Sequence, residues 1–362
     1  MASRTASKTK TVNLALQGGG AHGAFAWGVL DKLLEDGRIL PEGICATSAG
    51  TMNALALGYG LHLGLARGDG RERAREVLHA LWSEVSRAGR LSPVRLGSVP
   101  GLPVEHSPGW AWFDAVTRAS SPYQWNPFDY HPLRDVLEKV IDFPTLAACD
   151  RTKLFISATN VRSGKVRVFE TPEISIEVAL ASACLPYLFK AVEIGGEHYW
   201  DGGFIGNPAL FPLFNRTESR DVMIVHINPV ERPEVPTTGP EIQNRVNEIS
   251  FNASLLKELR AIAFVKKLIE NDMLKEGFET QFKEVLVHSV RAEASMCEFS
   301  VATKFDTSWR FLTLLRDRGR RAMEAWLAAH FDDVGRRDTV DLHTEFLGSV
   351  SQIFGEREKA AE

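Results

Sequence analysis

The sequence predicts an α/β fold: a mostly parallel central sheet sandwiched by helices, ending in a helical C-terminal extension. Two strand–turn–helix units follow one another at the N-terminus, the pattern of parallel strands joined by covering helices. Apolar strand segments then recur between helical stretches down the chain. The 362 residues, 44% hydrophobic and 24% charged, suffice for one large core of ordinary globular composition.

The first strand is expected over residues 12–16 and runs into Gly18-Gly19-Gly20. A helix follows over about residues 21–36, where Val29, Leu30, Leu33 and Leu34 share one face. A second strand ends near Ala46, and a tight turn opens a helix at Gly50. A helix at about 71–88 precedes a Pro- and Gly-rich aromatic stretch carrying Trp110, Trp112 and Phe113. That stretch, within a lid-like insertion at about 89–127, reads as a lid or as a loop whose aromatics pack down. Strands flank Ser163-Gly164 as a hairpin, and a helix stops before Pro186. A strand pair ends in Asp201-Gly202-Gly203, and an apolar strand ends at Pro229. A long amphipathic helix spans about 241–275, a last strand is "EVLVHSV", and residues 309–330 are helical.

Net charge is −4 and the pI about 6.2, so no global field favours nucleic acid. Cys45, Cys149, Cys184 and Cys297 are scattered without a C-x-x-C pair, which argues against a zinc site or disulfide framework and suits a reducing compartment. The N-terminus is polar and basic without a signal-peptide core, and no run of about 18 apolar residues marks a membrane span. The expectation is a cytoplasmic protein, with a possible peripheral contact to a membrane surface through the aromatic stretch.

Gly18-Gly19-Gly20-Ala21-His22-Gly23 matches G-x-G-x-x-G, and a glycine turn at a helix start suits any anion. A dinucleotide site needs an acid closing the next strand. Glu42 has the spacing but precedes that strand, which ends instead in Ala46-Thr47-Ser48-Ala49-Gly50. A serine at such a strand-to-helix turn reads as a nucleophile elbow or as a simple helix N-cap. Asp201 reads as a general base for that serine or as the acid of an Asx-turn. The amides of Gly18, Gly19 and Gly20 would face the same sheet edge and suit a developing oxyanion. His198 or His226 would complete a Ser-His-Asp triad instead; His22 and His131 read as packing and turn residues, and Asn160 as a turn former.

Taken together, "LALQGGGAHGAF", "ATSAGTMNA", "SACLPYLF" and "YWDGGFIGNPA" resemble, in order, the sequence blocks of the patatin-like phospholipase family. The resemblance covers roughly residues 12–230. It implies a helix-sandwiched sheet and a Ser-Asp dyad, with Ser48 as nucleophile, Asp201 as general base and Gly18, Gly19 and Gly20 as the oxyanion loop. His22 stands where the family has Arg or Lys, and Ala46 replaces the first glycine of the elbow. The function implied is hydrolysis of lipid esters, phospholipase A- or lysophospholipase-like. The alternatives are a thioesterase or polyester depolymerase with the same dyad, or a catalytically weak lipid-binding protein. No cofactor and no metal are expected, and no nucleic-acid partner. The expected organisation is a disordered basic tail (1–11), an acyl hydrolase domain (12–300) with its lid-like insertion, and a helical extension (301–362).

Overall fold

A computed structural model describes residues 9–97, 103–274 and 282–347. Strand β1 (Lys10–Leu16) leads through the glycine loop to α1 (Gly23–Asp36); β2 (Ile39–Ala46) leads to α2 (Ala49–Leu63) and α3 (Gly70–Ala88). Helices α4 (Pro108–Ala119) and α5 (Pro132–Val140) precede the hairpin β3 (Lys153–Asn160) and β4 (Val166–Glu170). Then come α6 (Ile176–Ser182), the hairpin β5 (Val192–Ile194) and β6 (Glu197–Asp201), β7 (Asp221–Val225), α7 (Gly239–Glu270), β8 (Leu286–Val290) and α8 (Trp309–His330). The tail expected over 1–11 lies outside the described residues up to residue 8, but β1 already begins at Lys10, whose Nζ bonds the carbonyls of Phe331 and Val334.

These strands form one sheet in the order β5-β6-β3-β2-β1-β7-β8, with β4 on the far side of β3. β8, β7, β1, β2 and β3 run parallel, whereas at one side β4 and β6 pair antiparallel with β3, and β5 pairs antiparallel with β6. The chain leaves β1 toward β2 and later returns to its other side as β7, so the order reverses at β1. Ligands of open α/β sheets bind outside the carboxyl ends of the strands at such a reversal. The glycine loop leaves β1 at that point.

One face of the sheet is covered by α1, α2, α3 and α8 through a core that includes Leu14, Phe25, Trp27, Leu55, Leu78 and Leu315. On the other face, Leu255, Leu259 and Ile262 of α7 pack on Ala15, Phe155, Ile224 and Val287. Each such side chain, fully buried, contributes about 1.5–3 kcal/mol over leaving it in water.

The C-terminal helix covers the core as part of the first layer. A Cβ on Gly28 would lie 1.9 Å from the Arg316 carbonyl oxygen, and one on Gly319 would lie 2.0 Å from that of Phe25. Glycine on both sides lets α1 and α8 touch backbone to backbone. Periodicity located the helix at 309–330 but carried no information about its partner. The end of the expected extension, residues 348–362, lies outside the described residues.

The aromatic stretch is helical where an irregular loop was expected. Ser107 caps α4 by accepting the Trp110 N–H at 3.2 Å, and Pro108 sits in its first turn. Trp110 and Phe113 pack on Phe305, with ring centroids 5.5 and 5.3 Å away. Trp112, Tyr123, Trp125, Phe128 and Tyr130 remain exposed.

Candidate active site

The elbow follows from what surrounds β2. Ala46 is a fully buried strand residue paired with Leu16 and Ile156, with no left-handed backbone. Alanine in place of the usual glycine therefore costs this turn nothing. The unusual conformation falls on Ser48, at φ 54° and ψ −121°. A non-glycine residue held in so sparsely populated a region costs about 1–3 kcal/mol and persists only where its surroundings impose it. Gly50 is needed next, because a Cβ there would stand 2.2 Å from the Leu16 carbonyl oxygen.

Ser48 precedes α2, yet its hydroxyl makes no capping bond to that helix. The helix-cap reading of this serine therefore does not hold. The residue is 8% exposed, at the carboxyl edge of the sheet.

β6 carries the acid to the same place. Residues 158 and 159 of β3 pair with both β4 and β6, while 155 and 156 pair with both β4 and β2. Thus β2 and β6 share one edge of β3 and meet nearly end to end. Asp201, the last residue of β6, is fully buried. Its Oδ1 accepts the Gly203 N–H at 2.7 Å, so the Asx-turn is present. Oδ2 is buried without a fully formed bond of its own. Burial pushes the carboxyl up to about 6; the Ser48 hydroxyl, as hydrogen-bonding neighbour, is the largest influence opposing that rise, followed by the Gly203 amide and the charge of Lys304.

The glycine loop lies against both. A Cβ on Gly18 would fall 2.7 Å from the Ser48 Cβ, so only glycine permits this approach. The Gly18 N–H, however, donates to Asn207 Oδ1 at 2.7 Å, and its carbonyl accepts from Asn228 Nδ2 at 3.0 Å. Gly18 is thereby committed to holding the loop. The N–H groups of Gly19 and Gly20 donate no hydrogen bond among the described residues. Gly20 has φ 59°, and a Cβ on it would meet the Lys304 carbonyl oxygen at 2.5 Å.

Sequence reasoning passed over the residues that join these parts. Thr47 Oγ1 donates to the Gly206 carbonyl at 2.6 Å, tying the elbow to the loop after Asp201. Lys304, from the turn Val301–Phe305, donates to Asn228 at 2.9 Å and Asn247 at 2.7 Å, and its Nζ lies 4.9 Å from the centre of the Phe251 ring. Burial lowers it to about 8, opposed by Glu248 and Asp201. Asn207 lies in the segment "YWDGGFIGNPA", whereas no local signal marks Lys304 far down the chain.

The histidines lie elsewhere. His22 is buried between Phe299 and Phe311, its Nε2 2.7 Å from Thr303 Oγ1, and burial holds it well below its ordinary range. Buried His226 stacks on Phe346 and is lowered by burial to about 3. His198 sits opposite Glu193 in the β5–β6 hairpin. Among the described residues no histidine bonds Ser48 or Asp201, which removes the observation a triad would need. Asn160 Oδ1 accepts the amides of Arg162 and Ser163, as a turn former does, and His131 stacks on Phe189 at 3.7 Å.

Residues 14–214 match the family model described as patatin-like phospholipase. Among solved structures, VipD from Legionella pneumophila aligns over 89% of this chain and 67% of its own, with 14% identity and a TM-score of 0.41. A chain from the structure of full-length SpcU in complex with full-length ExoU, of the Pseudomonas aeruginosa type III secretion system, aligns over 89% of this chain and 54% of its own, with 16% identity and a TM-score of 0.29. No curated protein is similar enough to match the chain.

Proposed function

This chain belongs to the patatin-like phospholipase family, a family of lipid acyl hydrolases, and we propose that it hydrolyses lipid esters with a Ser48–Asp201 dyad. One observation carries the reading: a serine in a strained elbow, its hydroxyl unused by the helix it precedes, beside a buried carboxyl whose Oδ2 has no fully formed bond. Ser48 Oγ attacks the ester carbonyl as Asp201 takes its proton. The amides of Gly19 and Gly20 stabilise the tetrahedral oxyanion, with Gly18 holding their loop in place. Collapse breaks the ester bond, and the departing alcohol takes the proton from Asp201. Water, deprotonated by Asp201, then cleaves the acyl-enzyme, releases the fatty acid and returns the proton to Ser48.

The stretch 108–130, helical over Pro108–Ala119 and Pro122–Trp125, supports a role as the lipid-facing part of this site, since Phe128 is 94% exposed beside exposed Trp112, Trp125 and Tyr130. Such side chains suit a headgroup interface. No helix among the described residues is long and apolar enough to cross a membrane, so the contact proposed is peripheral.

The test is labelling with a fluorophosphonate probe, followed by a panel of p-nitrophenyl esters, phospholipids and acyl thioesters. The expected result is labelling confined to Ser48 and phospholipid or lysophospholipid hydrolysis abolished in Ser48→Ala. An unlabelled Ser48 with esterase activity intact in Ser48→Ala would sink the dyad; cleavage of thioesters alone would keep it and change the substrate.

A further inference from the structure

The "SACLP" segment has no part in the chemistry above, yet it holds the backbone of both proposed reacting residues. Ser182 closes α6 and is fully buried. Its Oγ accepts the Ser48 N–H at 3.1 Å, donates to the Ser157 carbonyl at 2.8 Å and lies 2.8 Å from Thr51 Oγ1. With its one proton given to Ser157, its two lone pairs serve Ser48 and Thr51, which fills its bonding capacity. Two residues on, the Cys184 carbonyl accepts the Asp201 N–H at 2.8 Å.

Ser157 gives this arrangement its meaning. It is the residue of β3 between the pairing with β2, which ends at Ile156, and the pairing with β6, which begins at Ala158. Ser182 therefore fills the gap where the two strand ends meet. We propose that Ser182 is a positioning residue: its hydroxyl sets the Ser48 amide at a fixed distance from the Asp201 amide, held by Cys184 on the same short segment. This rests on the reading of Ser48 as nucleophile and Asp201 as base.

The physical need is specific. The Ser48 amide has no backbone carbonyl partner among the described residues, so Ser182 alone satisfies it. Without that bond a buried N–H and a buried carbonyl lose their partner, and the strained turn loses one restraint. Displacement of a nucleophile by on the order of 1 Å lowers turnover by about a hundredfold while leaving substrate binding intact.

The experiment compares the full-length protein with Ser182→Ala, Ser182→Cys and Thr51→Val, each normalised to the sites titrated by a fluorophosphonate. Ser182→Cys retains volume but offers a weak sulfur acceptor, and serves if Ser182→Ala fails to fold. Thr51→Val removes a neighbouring buried hydroxyl but leaves the Ser48 bond. Expected for both Ser182 variants is a kcat per titrated site down by about ten- to a hundredfold, a KM within about twofold, and slower labelling of Ser48. Thr51→Val keeps kcat per site within about threefold of wild type, since loss of stability alone lowers the number of titrated sites and not their turnover. Wild-type kcat per site in the Ser182 variants, or an equal loss in Thr51→Val, overturns the positioning role. A wild-type protein that does not label at Ser48 instead overturns the dyad itself, and the proposal with it.

Discussion

Ala46 and Asp201 stand on one edge of the same strand, paired with Ile156 and Ala158 of β3, so the end of β2 and the end of β6 face each other across Ser157. The proposed nucleophile follows the first end and the proposed base occupies the second. Their meeting is a consequence of register. A slip of one residue in either pairing would turn the Asp201 side chain to the opposite face of the sheet. The following predictions rest on this geometry.

Asp201→Asn preserves shape and the Gly203 bond but accepts no proton from Ser48. Removing a general base costs about 10²–10⁴ in rate. Steady-state hydrolysis of a p-nitrophenyl ester checks this; a variant within threefold of wild type would exclude Asp201 as base.

The pH dependence follows from burial. Burial pushes Asp201 up to about 6, and the proposed base acts only when ionised, so kcat/KM is expected to fall as pH drops through about 6. A carboxyl raised on folding binds its proton more tightly in the native state, so stability declines as pH rises from about 4 to about 6. Asp201→Asn removes that penalty and is expected to be more stable than wild type by up to about 3 kcal/mol at pH 7, with the difference vanishing near pH 4. Urea denaturation at both values measures it.

Lys304 places a positive charge that favours ionised Asp201. Lys304→Met is therefore expected to move the acid limb of the pH–rate profile upward, and Lys304→Arg to leave the charge effect in place. An unmoved limb in Lys304→Met would show that its role is only to hold Asn228 and Asn247.

Gly28→Ala and Gly319→Ala each force a methyl into a carbonyl oxygen between α1 and α8. Each is expected to cost about 1–3 kcal/mol or more, since overpacking of a fitted contact strains both backbones. A melting temperature unchanged in both would contradict the close approach.

Phe128→Ala combined with Trp112→Ala is expected to reduce sedimentation with phospholipid vesicles and hydrolysis of vesicle lipid several-fold. Hydrolysis of a soluble p-nitrophenyl ester should stay at the wild-type rate. Equal losses on both substrates would place these aromatics in the fold rather than at a lipid surface.

Much was legible in the residues themselves, because local chemistry determines local structure. Alternating and helical periodicities marked the parallel units, the hairpin around Gly164 and the helix at 309–330. Small residues around Ser48 and glycines after Asp201 signalled turns that admit nothing larger. Only tertiary structure decided which groups meet. Strand register brings Asp201 to Ser48, yet no spacing along the chain encodes it. Gly18, legible as an amide donor, spends its N–H on Asn207, a residue far along the chain. Ser182 and Lys304 look ordinary in sequence, since a hydroxyl or an ammonium takes its role from the buried partners that surround it. The C-terminal helix reads from sequence as an extension covering the core, but amphipathicity shows only that a face is buried and is silent about which helix buries it.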